Sequence, residues 1–305
     1  MHLVQRLGYL SIGVADLDAA IDFYARYVRL DLTERVGTTA FMTGGVEHHW
    51  IRLEEGERTG VNRVGYEVAD EATLAEIAER LRRSDPGIEY TEGGDFGKER
   101  VHRWLRFEDP SGFPLELFVG MAERPVPPVS SGVALDRLLH AGWKARDFDR
   151  TARFYQETLG FKVSDWLGDT VGFFRCANGF HHSLVLVRSP DGETSFDHLC
   201  INVESIDDVM RFRHNAVDHG VALRSDLLRH PTSGSISVYI RDEERGLAIE
   251  YCTGHAVLDD ETHRPRRLPV GAQTADVWRV PLPEPRIASP TGAGDRPAEL
   301  PSLRS

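Results

Sequence analysis

Between residues 235 and 251, Ile236, Val238 and Ile240 alternate with Ser237, Tyr239 and Arg241. A polar turn from Asp242 to Gly246 follows, and Leu247, Ala248 and Ile249 resume the apolar run. Period-2 alternation on both sides of a glycine-containing turn predicts a β-hairpin. Glu250 breaks the pattern, because it places a carboxylate at the end of an apolar strand. Such a group is costly to bury unless it is paired or bound to a metal.

The same alternation organises the rest of the chain. An apolar run over 7–14 leads into Asp16, an N-cap, and then Leu17, Ala20, Ile21 and Tyr24 at helical spacing. Apolar segments around 39–43 and 49–53 predict short strands. A strand-like run over 62–69 precedes a helix from 71 to 83, which stops before Pro86-Gly87. A second hairpin, 101–118, ends with Glu116.

After residue 131 the order repeats. Asp147-Phe-Asp-Arg-Thr-Ala-Arg-Phe-Tyr matches Asp16-Leu-Asp-Ala-Ala-Ile-Asp-Phe-Tyr at a constant offset of 131 residues. The run 196–205 aligns with 61–70, and its helix opens on Ser205-Ile-Asp-Asp208, which resembles a capping box, and stops at Gly220. Glu250 then falls on Glu116. Each half reads strand, helix, short strands, twice over, which is a paired βαβββ organisation and an α+β fold class. The predicted division is an N-terminal pair over 1–121, a linker over 122–131, a C-terminal pair over 132–254 and a tail over 255–305. Asp276-Val-Trp-Arg-Val could pack on the body, and the proline-rich end from 281 is expected to be disordered.

Composition narrows the function classes. The chain has 305 residues, 41% hydrophobic and 28% charged, with a net charge of −12. It is long enough for two ordinary domains, and the charge argues against nucleic-acid binding. There is no apolar run of about 18 residues and no signal-peptide pattern at the start. Cys176, Cys200 and Cys252 form no Cys-x-x-Cys motif. They predict reduced thiols in a cytoplasmic protein without membrane partners.

The repeat also acts as an internal control. Residues needed only for folding recur in both halves, and residues needed for chemistry in one half differ. His140 stands where the first half has Tyr9, and His198 where it has Arg63, whereas Glu250 and Glu116 agree. Only the second half therefore offers two histidines and a carboxylate from three strands. That donor set is a facial triad suited to iron(II) or manganese(II). Taken singly, each histidine reads more often as a hydrogen-bonded core or edge residue. Glu116 is expected to pair with an arginine, and the His48-His49 pair is read as surface or structural. Trp143, Phe173 and Phe174 are pocket-lining or core residues.

Four segments carry a resemblance across residues 5–254. They are Leu138-Leu-His140, the 175–186 run containing His181-His182, Phe196-Asp-His198-Leu, and Arg229-His230-Pro-Thr-Ser followed by Val-Tyr239-Ile-Arg-Asp and Ile-Glu250-Tyr. Together they resemble the type I extradiol ring-cleaving dioxygenases of the vicinal oxygen chelate superfamily. The resemblance implies two tandem modules, each a pair of βαβββ motifs forming a barrel-like sheet, of which the first is non-catalytic. It implies His140, His198 and Glu250 as ligands of Fe(II), with Mn(II) as the alternative. It implies His182 as the acid–base residue, His230 as donor to the metal-bound substrate oxygen and Tyr239 as hydrogen-bond partner of the substrate. The expected reaction is extradiol cleavage of a substituted or bicyclic catechol by O2, giving a hydroxymuconic semialdehyde-type product in aromatic catabolism. A homo-oligomer is also implied. A metal-dependent lyase or isomerase, or a non-catalytic binding protein, on the same fold are the alternatives.

Three departures from the family pattern stand out. The turn after Asp242 reads Glu-Glu-Arg-Gly, one residue longer than usual, and is expected to shift the strand bearing Glu250. Thr232 and Ser233 stand where many relatives have Asn-Asp. Gly142 replaces a common valine and is expected to open room for a different ring substituent.

Overall fold

A computed structural model describes residues 2–84, 86–124 and 132–279. The expected linker falls largely on 125–131 and the expected disordered end on 281–305, both outside the described residues.

In the first module the strands and helices are β1 (Val4–Val14), α1 (Leu17–Arg26), β2 (Asp31–Val36), β3 (Thr39–Thr43), β4 (Ile51–Glu55), β5 (Gly60–Val68), α2 (Glu71–Ser84), β6 (Tyr90–Gly93), the short α3 (Phe96–Glu99), β7 (Val101–Glu108) and β8 (Pro114–Met121). The second module runs β9 (Leu135–Ala145), α4 (Phe148–Glu157), β10 (Lys162–Leu167), β11 (Val171–Arg175), β12 (Leu184–Arg188), β13 (Ser195–Val203), α5 (Ile206–Asp218), β14 (Leu223–Arg229), β15 (Ile236–Asp242) and β16 (Leu247–Thr253). The first sheet is ordered β2-β3-β4-β1-β5-β8-β7-β6. The second follows the same plan as β14-β15-β16-β13-β9-β12-β11-β10, with one strand added at its end.

The helices begin where the side chains satisfy free backbone N–H groups. Asp16 accepts from the Ala19 N–H (2.9 Å) and Asp147 from the Arg150 N–H (3.3 Å). At α5 the box-like motif is altered. The Ser205 hydroxyl accepts from the Asp208 N–H and donates to the Asp208 carboxylate (2.6 Å), which also accepts from the Ala134 N–H. Aspartate is one methylene too short to reach back to the cap N–H as glutamate does.

One hydrophobic core runs through both modules. Phe113 of the first stacks on Trp143 of the second, with ring centres 4.3 Å apart, so Trp143 is a core residue. Phe174 is also core, against Trp166, whereas Phe173 packs beside His182. Tyr24 donates to Asp242 (3.1 Å) and Tyr66 to the Ser183 carbonyl (3.0 Å), tying the halves together.

Residues 255–279 have structure that the hydrophobic pattern did not reveal. Arg266–Leu268 (β17) adds a parallel strand beside β10. Before it, the chain crosses the second module by backbone bonds, His181 N–H to Ala256 O (2.7 Å) and Ala256 N–H to Ser233 O (2.8 Å). Asp276 accepts from the Arg229 N–H (3.2 Å). Among the described residues no helix is long and apolar enough to cross a membrane.

Candidate metal centre

The register of three adjacent strands assembles the site. On β9 and β16, His140 and Glu250 both lie opposite Cys200 of β13. His198 is two residues before Cys200, so the period-2 pleat returns it to the same face. The result is a buried trio with His140 Nε2 3.0 Å from His198 Nε2, and Glu250 Oε2 3.1 Å and 3.6 Å from those two nitrogens. Metal bonds of about 2.1 Å at right angles separate their donor atoms by about 3 Å.

The polar bookkeeping also calls for a cation. Glu250 Oε2 is buried between two imidazoles yet makes no hydrogen bond. His198 Nδ1 meets Asp197 Oδ2 at 2.7 Å, and a carboxylate can only accept, so Nδ1 donates and Nε2 is the nitrogen turned to the trio. Arg224 in turn donates to Asp197 (2.8 Å), which fixes the imidazole's orientation. Burial pushes His140 down to about 4, against the pull of Glu250, so it stands as a neutral imidazole. Burial alone would raise Glu250, but the close approach of His140, with His230 and His198, holds it well below the usual carboxylate range, so it stands as an anion. Two imidazoles and a carboxylate in this geometry fit a divalent cation.

The other three expected residues are grouped around the trio. His182 packs on His140 with ring centres 4.2 Å apart. His230 Nε2 lies 3.0 Å from the Tyr239 hydroxyl and 3.7 Å from Glu250 Oε1. Tyr239 faces Glu250 directly across the β15–β16 ladder, which has no register shift. The longer turn is absorbed by Arg245, whose buried guanidinium donates to Asp242 (2.9 Å) within the turn.

Gly142 does not open substrate space. A Cβ there would lie 2.7 Å from His198 Cε1, so the glycine makes room for the imidazole itself. Thr232 and Ser233 serve the C-terminal crossing, since their carbonyls accept from Arg266 (3.1 Å) and the Ala256 N–H.

Several residues at the site were not picked out by the sequence pattern. His255 is buried, with ring centre 4.5 Å from that of His182, and neither of its nitrogens has a hydrogen-bond partner. His181 lies between Asp165 (3.0 Å) and His182 (2.9 Å). Asp197 orients His198.

In the first module the same register places Tyr9 and Glu116 opposite Gly65, with Arg63 two residues earlier. Arg63 Nε donates to the Tyr9 hydroxyl (3.2 Å) and lies 3.4 Å from Glu116 Oε2. Arg106 adds a second guanidinium at 2.6 Å. Glu116 thus pairs with arginine, as expected, and a guanidinium fills the place of a cation. His48 and His49 are both buried rather than on the surface.

Comparison with known proteins agrees with this architecture. The model of the Glyoxalase/Bleomycin resistance protein/Dioxygenase superfamily matches residues 6–117 and 137–251. The chain is 31% identical over 269 residues to biphenyl-2,3-diol 1,2-dioxygenase of Paraburkholderia xenovorans (strain LB400), covering 81% of this chain and 87% of that protein. It is 32% identical over 288 residues to the iron-dependent extradiol dioxygenase of Rhodococcus jostii (strain RHA1), covering 84% and 92%. The Mn(II)-bound glyoxalase from Novosphingobium aromaticivorans shares the fold, with a TM-score of 0.83 at 22% identity over 92% of each chain.

Proposed function

The chain belongs to the glyoxalase/bleomycin resistance protein/dioxygenase superfamily and is one of its metal-dependent extradiol dioxygenases, and we propose that it opens a substituted or bicyclic catechol at a mononuclear Fe(II) held by His140, His198 and Glu250. The observation that carries this reading is the buried trio of donor atoms with edges of 3.0, 3.1 and 3.6 Å and an orphaned carboxylate oxygen between the imidazoles. When bound, the metal lowers the pKa of the two catechol hydroxyls and couples the electrons of the ring to dioxygen.

The protein's own groups do the rest. His230 and Tyr239 form one wall, and donate hydrogen bonds to the substrate oxygen beside Glu250. His182 forms a second wall and exchanges a proton with the substrate. The carbon–carbon bond next to the diol opens and both atoms of O2 are retained. Iron is favoured over manganese by the 32% identical iron-dependent relative, although the donor set accepts either. The first module, with Arg63 in the cation position, is a non-catalytic copy.

The test is oxygen uptake by iron-loaded protein given catechol and 2,3-dihydroxybiphenyl in air. A yellow ring-cleavage product with one O2 consumed per catechol is expected. Absence of uptake across a broad catechol panel, with iron bound, refutes the assignment.

A further inference from the structure

Behind His182 the structure builds a line of hydrogen bonds that starts at the C-terminal strand. Arg266 donates to Asp165, from its backbone N–H (2.8 Å) and its guanidinium. Asp165 Oδ2 meets His181 Nε2 at 3.0 Å, and His181 Nδ1 meets His182 Nδ1 at 2.9 Å. Asp165, His181 and His182 are all buried.

The donors and acceptors along this line have one consistent assignment. Burial alone would raise the Asp165 carboxyl, but the bonds from His181 and Arg266 hold it at about 2, so it is an acceptor only. His181 Nε2 therefore carries the proton. Burial keeps the His181 ring neutral, which makes its Nδ1 an acceptor. His182 must then donate from Nδ1, and its Nε2 has no proton. One ring nitrogen each of His140, His182 and His255 lie within 4.8 Å of one another, so the His182 ring presents itself to the metal centre.

We propose that Asp165 and His181 are positioning residues that hold His182 in the Nδ1–H tautomer, with its bare Nε2 turned to the substrate. The role rests on the catechol dioxygenase reading above for its chemistry, but the tautomer itself does not. When Nε2 takes the proton from a catechol hydroxyl, the resulting imidazolium keeps its Nδ1–H on His181, and Asp165 stabilises the charge through that ring. The proton returns from the same nitrogen when the ring opens. This is the orienting logic by which a third group fixes a catalytic histidine.

The first module supplies an independent copy. Glu34 Oε2 meets His48 Nε2 at 3.1 Å, and His48 Nδ1 meets His49 Nδ1 at 3.2 Å. His49 packs on Tyr9, just as His182 packs on His140. The acid–His–His line is thus a device of the fold that accepts glutamate in place of aspartate. Only in the second module does it end beside a complete donor trio.

The experiment is 15N-detected imidazole NMR on metal-free protein, together with kinetics and iron content of the loaded enzyme. In the wild type, His182 is expected to show a protonated Nδ1 and an unprotonated Nε2. His181→Phe removes the acceptor, and the proton is expected to move to Nε2. In that variant kcat falls about 100-fold or more, with KM and iron content little changed. Asp165→Ala is expected to act in the same direction, and Asp165→Glu to restore both tautomer and kcat, as Glu34 does in the copy. The proposal is overturned if His182 keeps its Nδ1–H in folded His181→Phe, or if kcat is unaltered while only the melting temperature falls. If His181→Phe does not fold, the contrast between Asp165→Ala and Asp165→Glu decides. A normal tautomer in a protein that consumes no O2 refutes the reaction assignment and leaves the relay standing.

Discussion

Arg63 Nε stands 3.4 Å from Glu116 Oε2, and at the equivalent place in the second module His198 Nε2 stands 3.6 Å from Glu250 Oε2. Two modules with one register thus meet a buried carboxylate in different ways. The first brings its own cation, and the second leaves a place for one. Glu116 is fully buried, with Arg63 and Arg106 both against it. Glu116→Gln removes the carboxylate from between Arg63 and Arg106, which keep Glu54 (3.7 Å) and Glu99 (2.9 Å) as remaining partners. A loss of about 1–3 kcal/mol of stability is expected, the scale of an unmade bond to a buried charged group. Urea denaturation measures it. Iron content should not change, and a loss of iron would show that the two sites are coupled.

The trio and its wall separate by substitution. His198→Ala removes one of three donors and leaves a cavity, and the variant is expected to purify without iron. His182→Ala lies outside the trio, so it should retain iron but lose turnover by about 100-fold or more. Metal analysis and oxygen uptake on the two proteins give the answer. Iron retained at full occupancy by His198→Ala would refute the ligand assignment.

Much of this arrangement was legible before any coordinates. The hairpin around Glu250, the repeat at 131 residues and the His140, His198 and Glu250 positions all rest on side-chain periodicity, which sequence displays directly. His181 and Asp165 did not stand out, because a carboxylate within an alternating strand looks like any solvent-facing position. The His48-His49 pair escaped the repeat comparison for a definite reason. Its offset from His181-His182 is 133 residues, against 131 at His140, 135 at His198 and 134 at Glu250, so no single offset brings the two pairs together. His255 and β17 left no trace, because the crossing that carries them is held by backbone bonds to Ser233 and His181, which impose no side-chain pattern.

Gly142 is a test of how tightly the centre is built. His198 is pinned at Nδ1 by Asp197, and Arg224 holds Asp197 from behind. A methyl group at residue 142 would meet His198 at 2.7 Å and Val185 Cβ at 3.3 Å. The imidazole cannot yield without breaking its bond to Asp197. Gly142→Ala should therefore weaken iron binding by about 10-fold or more, the scale seen when outer-shell support of a ligand is lost. Competition with a chromophoric chelator reads the affinity. An unchanged affinity would mean that His198 has slack that its hydrogen bonds do not suggest.

The module interface should respond to pH through Asp109. Its Oδ1 accepts from the N–H groups of Ser111 (2.8 Å) and Phe113 (3.0 Å), and its Oδ2 from Trp143 (3.3 Å) and Tyr155 (3.2 Å) of the second module. Burial nevertheless pushes the carboxyl up to about 6, above the roughly 3.9 of an unfolded chain. Between those values the native protein keeps a proton that the unfolded chain has released. The stabilising contribution is thus complete below about pH 4 and is lost as pH rises through 6, by about 3 kcal/mol. Asp109→Asn carries no such titration. It will shift stability by some constant amount, but the wild type's advantage over it should shrink by about that figure between pH 4 and pH 7. Paired urea titrations across this range isolate the slope from every other carboxylate, because all of them are shared. A difference that stays level would mean that the four donors keep Asp109 ionised in the folded protein, and that burial loses to hydrogen bonding at this interface.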